Sequence, residues 1–302
     1  MADRPAAEIE VTAALAARLV AEQHPDLAHL PVRLVTSGWD NAVLRLGPDL
    51  ALRLPRRQQA AQLVLNEQRW LPVLAPALAP ETDGDGVGVP VPVRVGLPSG
   101  GYPWGWSIVP WFAGRSAVTV PAHERAALAE PLAQILARVH VPAPAEAPVN
   151  PVRGGALASR TEAVSGRLAS GLIADADRLR ELWDEFVRAP RWPGPPVWAH
   201  GDVHPGNLVV RDDGGLRALV DFGDITSGDP ATDLATAWLT FDPAGRERFR
   251  SRIDALRAYD DHVWTRARGW ALCMGTALAA HSDDSPAYAE LGAHTLEQVL
   301  VG

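Results

Sequence analysis

The sequence contains no lysine, and all 28 of its basic residues are arginine. Apart from histidine, any cation that a site requires must therefore be a guanidinium. A single cysteine, Cys273, excludes an internal disulfide and fits a reducing compartment. No stretch approaches the roughly 20 apolar residues that a membrane span needs. The best candidate, from Leu71 to Pro80, is interrupted by three prolines. The first residues carry Asp3, Arg4, Glu8 and Glu10 instead of a basic segment followed by an apolar one, so no signal peptide and a cytoplasmic location are expected. There is also no basic tract, and the net charge is −8. Nucleic acid is thus not expected as a partner, since that affinity comes largely from neutralising phosphates, and a cationic small ligand suits the acidic chain better. What is present is ordinary for a globular protein: 302 residues, 47% apolar and 21% charged, enough for two sub-domains with a sizeable core.

The most informative stretch is His200-Gly201-Asp202-Val203-His204-Pro205-Gly206-Asn207, followed by Val220-Asp221-Phe222-Gly223-Asp224. Between them, Leu208 to Val210 and Leu216 to Val220 are apolar runs flanking the turn Asp212-Asp213-Gly214-Gly215, so the pattern predicts loop, strand, hairpin, strand, loop. That brings Asp202, Asn207 and Asp221 to one end of a short hairpin. All three offer oxygen, the donor that Mg²⁺ prefers on a phosphate chain, with one carboxylate left to hold a hydroxyl proton.

These residues resemble the catalytic loop of the aminoglycoside phosphotransferase family, which shares the protein-kinase-like fold. Kinases carry an Asp and, five residues on, an Asn, the spacing of Asp202 and Asn207; Asp221-Phe222-Gly223 matches the metal-binding DFG segment. The resemblance spans roughly residues 32–240 and is most specific at 200–224. It implies an α+β, bilobal fold: an N-terminal nucleotide-binding lobe at 1–110 with an antiparallel five-stranded sheet and a helix, a hinge at about 109–114, and a mainly helical C-terminal lobe at 111–302.

Along the chain, an amphipathic helix is expected over 6–23 and strands over Val32–Thr36 and Val43–Leu46. Between these strands, Ser37 and Gly38 open a loop that can offer backbone N–H groups to phosphates, although it has only one glycine. In Leu50-Ala51-Leu52-Arg53-Leu54 the leucines alternate toward the core, and Ala51 and Arg53 share the other face. By resemblance Ala51 admits the base and Arg53 stands where the family has Lys. A helix over 57–74 carries Leu63, Trp70, Leu71 and Leu74 on one face with Glu67 inside that stripe. Such a carboxylate wants a cation, and Arg53 is the candidate; the plainer alternative is the solvent edge of the stripe. A Pro/Gly/Asp-rich loop is expected at 75–92, then strands Val91–Val95 and Trp104–Pro110. At the implied hinge, Val109, Pro110 and Phe112 would meet the purine; Pro110 has only a carbonyl to offer, which makes Phe112 N–H the better donor. Trp104, Trp106 and Trp111 fit core packing better than a stacking site.

A helix is expected over Pro121–Val139, with His140 at its end as a cap or core residue, and further helices over 160–188 carrying Leu168, Leu172, Leu179, Leu182, Trp183 and Phe186. Asp229 suits an N-cap with Pro230 at the first helical position. By resemblance His200 and Asp233 support the catalytic loop. Asp224, Trp238, Asp260 and Asp261 are candidate contacts for a cationic acceptor. The implied reaction is Mg²⁺-dependent transfer of the γ-phosphoryl of ATP or GTP to a small-molecule hydroxyl: Asp202 orients the hydroxyl and accepts its proton, and Asn207 and Asp221 bind metal. The expected acceptor is an aminoglycoside-type antibiotic, with resistance by O-phosphorylation; a macrolide and a small amino-bearing metabolite are the alternatives. A nucleotide-binding regulatory protein without useful catalysis, which Arg53 in place of Lys would favour, also remains open.

Overall fold

In this computed structural model, which describes residues 6–78, 86–282 and 285–302, the apolar side chains gather into two cores. The smaller is built on an antiparallel sheet of β1 (Val32–Ser37), β2 (Asn41–Leu46), β3 (Leu50–Pro55), β5 (Trp106–Pro110) and β4 (Arg94–Gly96), in that spatial order. Leu44, Leu46, Leu52, Leu54, Trp106 and Ile108 meet Leu19 and Val20 of helix α1 (Ala13–Gln23). This helix starts later than position 6 because Thr12 caps it, its Oγ1 accepting the Leu15 N–H at 3.1 Å. Trp104 and Trp106 both lie in this core. Strand β4 is shorter and later than Val91–Val95, since Pro90 and Pro92 have no N–H to give to a ladder.

Helix α2 (Gln58–Leu78) runs four residues past the expected end, through Pro72 and Pro76. Both prolines face solvent, so water can satisfy the carbonyls they free, while Leu71, Leu74 and Leu78 on the opposite face enter the larger core. Burial of that face outweighs the helix-breaking tendency. In the first half of α2 it is Val64 that is buried; Leu63 turns instead toward Gly223. Of the loop expected at 75–92, residues 79–85 lie outside the described residues. Just after them, Gly88 joins the second core: its N–H donates to Arg217 O at 2.9 Å and its carbonyl accepts the Leu219 N–H at 3.0 Å.

The larger core is mainly helical. It draws on α3 (Ala129–Val139), α4 (Thr161–Leu168), α5 (Ala176–Phe186), α6 (Ala231–Leu234), α7 (Thr236–Thr240), α8 (Pro243–Leu256), α9 (Val263–His281) and α10 (Pro286–Val301). The single helix expected over 121–139 is split. A 3-10 stretch covers Ala122–Leu128 before α3 begins, because the ring of Pro131 would collide with the residue 127 carbonyl of a continuous α-helix. Leu172 is exposed and Ile173 buried, since the left-handed Gly171 (φ 77°) turns the chain out of α4. Strands β6 (Arg115–Ser116), β8 (Leu208–Val210) and β9 (Leu216–Leu219) form one small sheet, and β7 (Val197–Ala199) pairs with β10 (Thr226–Gly228). The loop from β7 to β8 contains residues 200–207, and the one from β9 to β10 contains 220–225. Among the described residues, no helix is long and apolar enough to cross a membrane.

Candidate active site

The loop after β7 is held from beneath by one buried carboxylate. Asp233 accepts the His200 N–H through Oδ2 and the Gly201 N–H through Oδ1, each at 2.8 Å, and its Oδ2 also lies 3.1 Å from His140 Nε2. The other nitrogen of His140 meets the Tyr259 hydroxyl at 2.8 Å. Two backbone donors that would otherwise be buried without partners are thus satisfied. His200 then ties this loop to the next. Its Nε2–H donates to Val220 O at 3.1 Å, its Nδ1 accepts the Asp202 N–H at 3.2 Å, and its ring lies 4.4 Å from that of Phe222. Burial lowers its pKa, which keeps the ring neutral and able to do both.

Asp202 sits at the top of this brace with both oxygens engaged. Arg153, from the segment before α4, donates its Nη2 to Oδ1 at 2.9 Å. His204 Nε2 stands 3.3 Å from Oδ2, and because its Nδ1 accepts the Gly206 N–H, Nε2 is the protonated nitrogen. Burial pushes the Asp202 carboxyl up, but the Arg153 guanidinium and the hydrogen bond from His204 outweigh it and hold the group well below the usual carboxylate range. Asn207 donates Nδ2 to the Asp202 carbonyl at 2.9 Å, which turns its Oδ1 to the opposite side of the amide.

Beside this loop, Arg53, Glu67 and Asp221 converge, although 168 positions separate Arg53 from Asp221. A single nitrogen, Arg53 Nη2, lies 2.7 Å from Asp221 Oδ1 and 3.2 Å from Glu67 Oε2. Burial disfavours the Arg53 charge, yet Asp221 and Glu67 together raise its pKa. Glu67 is only 1% exposed and its oxygens complete no hydrogen bond; the Arg53 contact is one of charge alone. Burial therefore pushes the Glu67 carboxyl up to about 7 against the pull of Arg53. Asp221 occupies the left-handed region (φ 66°), a conformation that costs a non-glycine residue about 1–2 kcal/mol and that active sites commonly retain. Next to it, burial and the Asp202 charge push Asp224 up to about 6, and Asn150 Nδ2 donates to its Oδ1 at 2.6 Å.

This geometry now meets the comparison with known proteins. The profile of the phosphotransferase enzyme family (APH) matches residues 31–270, most of the chain. The chain belongs to the phosphotransferase enzyme family. The GDP complex of wild-type aminoglycoside 2'-phosphotransferase-IIIa is similar in fold, with a TM-score of 0.70 at 18% identity over 96% of this chain and 99% of that one. The apoenzyme of macrolide 2'-phosphotransferase MphH from Brachybacterium faecium gives a TM-score of 0.59 at 24% identity, covering 93% of this chain and 97% of that one. ADP-bound aminoglycoside phosphotransferase APH(2'')-Ib gives 0.56 at 15% over 96% and 99%. No curated protein matches the sequence. The α+β, kinase-like fold expected from the motifs is the one observed.

Within this phosphotransferase, the sequence-derived candidates divide clearly. Asp202, Asn207, Asp221, Asp224, Arg53 and Glu67 come together at one place. Ala51 is buried opposite Val109 of β5, beside Arg53 in the strand. Just after β5, the Trp111 N–H donates to Asp49 O at 2.8 Å, and Phe112 lays its ring on Gly88. Ser37 pairs with Ala42, and the Gly38 N–H donates to Asn41 O at 2.8 Å, so that donor is spent inside the hairpin. Asp260 is not available to an acceptor cation: both oxygens are bound to Arg266, at 2.9 and 2.6 Å. Arg266 also takes Asp229 Oδ2 at 2.6 Å, while Asp229 Oδ1 accepts the Ala231 N–H. Trp238 is buried against Trp264, and Asp261 lies exposed on the turn before α9.

Sequence reasoning did not find Arg153, Asn150 or Tyr288. Arg153 and Asn150 lie about 50 positions before the loop in a Pro-rich stretch without periodicity. Tyr288 reaches in from α10, where its ring stands 5.8 Å from His204 and a side chain at Gly206 would collide with its hydroxyl. His204 was legible, two residues after Asp202 in the same motif, and its position is the signal that could have identified it.

Proposed function

We propose that this protein transfers the γ-phosphoryl group of ATP or GTP to a hydroxyl of a small molecule. The observation that carries the reading is the meeting of Arg53, Glu67 and Asp221 at 2.7 and 3.2 Å opposite the Asp202–Asn207 pair. The Arg53 guanidinium meets Glu67 as a kinase lysine meets its helix glutamate and also reaches Asp221, which favours an active enzyme over a regulatory protein that only binds nucleotide. The purine would lie between Ala51 and the hinge at Val109, Pro110 and Phe112. The nucleotides in the printed names of the similar structures, GDP and ADP, support a nucleotide donor.

Asn207 Oδ1 and the free Asp221 oxygen suit Mg²⁺, a hard cation that takes one or two protein oxygens and completes its shell with phosphate and water. Bound there, the metal would neutralise charge on the phosphates. Asp202 receives the acceptor hydroxyl. A carboxylate held so acidic is a weak base, so its main contribution is orientation, with the proton passing to Oδ1 or Oδ2 late in transfer. Asp233 and His200 fix the loop that carries it.

The test is turnover with Mg²⁺ and either nucleotide, comparing the protein with Asp202→Asn. We expect nucleotide affinity to be retained and kcat to fall by roughly 10²–10⁴. Undiminished turnover in the variant would overturn the assignment of Asp202.

A further inference from the structure

Tyr288 stands against the catalytic loop from a distant part of the chain. It lies in the first turn of α10, which packs along α9; Gly292 leaves room there for the Ala279 backbone, and Gly275 of α9 leaves room for Thr295. The phenol is thus carried on a helix that close packing holds in place. Its ring meets that of His204 edge-on, with centroids 5.8 Å apart and planes at 78°. His204 Nε2 in turn stands 3.3 Å from Asp202 Oδ2.

The hydroxyl reaches Gly206, the residue before Asn207. Gly206 has no left-handed φ that would call for glycine. Space calls for it instead: a methyl there would fall inside van der Waals contact of the Tyr288 hydroxyl and of the His204 ring. Loop and helix are therefore fitted to each other at this point. The hydroxyl itself is unused. Among the described residues it meets no hydrogen-bond partner, and it is not sealed from solvent. Burial of the ring and the nearby charges of Asp202 and Asp221 raise its pKa, so it remains a protonated donor at neutral pH.

The acceptor for this donor has to come from outside the chain. Asp202 receives the attacking hydroxyl, and Asn207 and Asp221 would hold the metal on the phosphates, so the group in transfer passes between Asp202 and Asn207. The phenol stands at His204 and Gly206, which join those two residues in the loop. We propose that the Tyr288 hydroxyl donates a hydrogen bond to a non-bridging oxygen of the γ-phosphoryl group during transfer, which makes Tyr288 a catalytic residue. This rests on the phosphotransfer reading and adds a residue to that same site. In the step, the acceptor oxygen, or water where no acceptor is bound, bonds to the γ-phosphorus while the bond to the β-phosphate oxygen breaks. The proton of the attacking hydroxyl passes to Asp202, the nucleoside diphosphate leaves, and Tyr288 keeps its own proton throughout. A donor already in place for the charge on those oxygens stabilises the transition state more than the bound nucleotide.

Tyr288→Phe keeps the ring against His204 and removes only the hydroxyl. Two readouts on the full chain test it: hydrolysis of ATP or GTP with Mg²⁺, in which water is the acceptor, and binding of ADP with Mg²⁺ and aluminium fluoride, which imitates the phosphoryl group in flight. The variant should hydrolyse at least about tenfold more slowly with the nucleotide KM unchanged, because the contact strengthens only in the transition state. It should also bind ADP as the parent does and lose affinity for the aluminium fluoride complex. Hydrolysis and aluminium fluoride binding equal to the parent's, or a slower rate matched by an equal loss of ADP affinity, overturns the proposal. If Asp202→Asn is slowed and Tyr288→Phe is not, this proposal alone fails. Undiminished turnover by Asp202→Asn overturns the phosphotransfer reading separately, and a parent that neither hydrolyses nucleotide nor binds the aluminium fluoride complex overturns both.

Discussion

Replacing Arg53 with methionine keeps most of the buried stem but strands the Glu67 carboxyl, and the cost should grow with pH. Burial already lifts Glu67 to about 7 although Arg53 pulls it down, so without the guanidinium it rises further; the unperturbed value is 4.5. From near pH 6 to near pH 8 the unfolded chain has lost this proton while the folded chain still holds some or all of it. The folded state thus binds more protons, and stability falls as pH rises. In the parent the fall is partial, amounting to about 1.4 kcal/mol, because Glu67 ionises near the middle of the window. In Arg53→Met the fall continues through the window at up to about 1.4 kcal/mol per pH unit, so the variant's penalty should increase by about 1 kcal/mol from the lower pH to the higher. That increment is added to the cost of breaking a buried pair, about 3–5 kcal/mol when the remaining charge cannot neutralise itself and less where it protonates. Urea unfolding at the two pH values, followed by tryptophan fluorescence, measures both quantities. The same pair of measurements in a Glu67→Gln background is the control, and there the pH-dependent increment should vanish. A penalty equal at both pH values, or an increment that survives Glu67→Gln, would refute the argument.

Two further substitutions probe the catalytic loop from below and from within. Asp233→Asn puts an NH₂ group where the structure has an oxygen accepting a backbone N–H, so one of the two loop donors is left unpaired. The expected cost is about 1–3 kcal/mol in thermal or urea unfolding, with kcat reduced more than nucleotide affinity. Gly201→Ala meets two obstacles: φ is 88°, and the added methyl would fall inside van der Waals contact of the Asp224 carbonyl oxygen. A loss of about 1–3 kcal/mol and a marked drop in turnover are expected, and an alanine variant as active and stable as the parent would contradict the described loop.

The sequence by itself determined the local chemistry. The five-residue spacing of Asp202 and Asn207, Asp221 one hairpin later, and the alternation around Arg53 could all be read because each follows from a short period or a turn between neighbours in the chain. Glu67 was likewise visible as a charge inside an apolar stripe. Failures were of two kinds. Helix α2 ran through Pro72 and Pro76, and the helix before α3 gave way to a 3-10 stretch, because which face is buried and where a proline ring points are settled by packing. Partners distant in sequence were decided only by tertiary structure. Asp260 is legible as a free acidic residue until Arg266 is seen to occupy it, and Trp238 as an acceptor contact until it is seen buried against Trp264. Arg153 has no periodicity to mark it, yet folding brings it to 2.9 Å from Asp202 across 49 positions. Spacing fixes which groups a strand or loop presents; the charge that each group finally meets depends on what the rest of the chain brings to it.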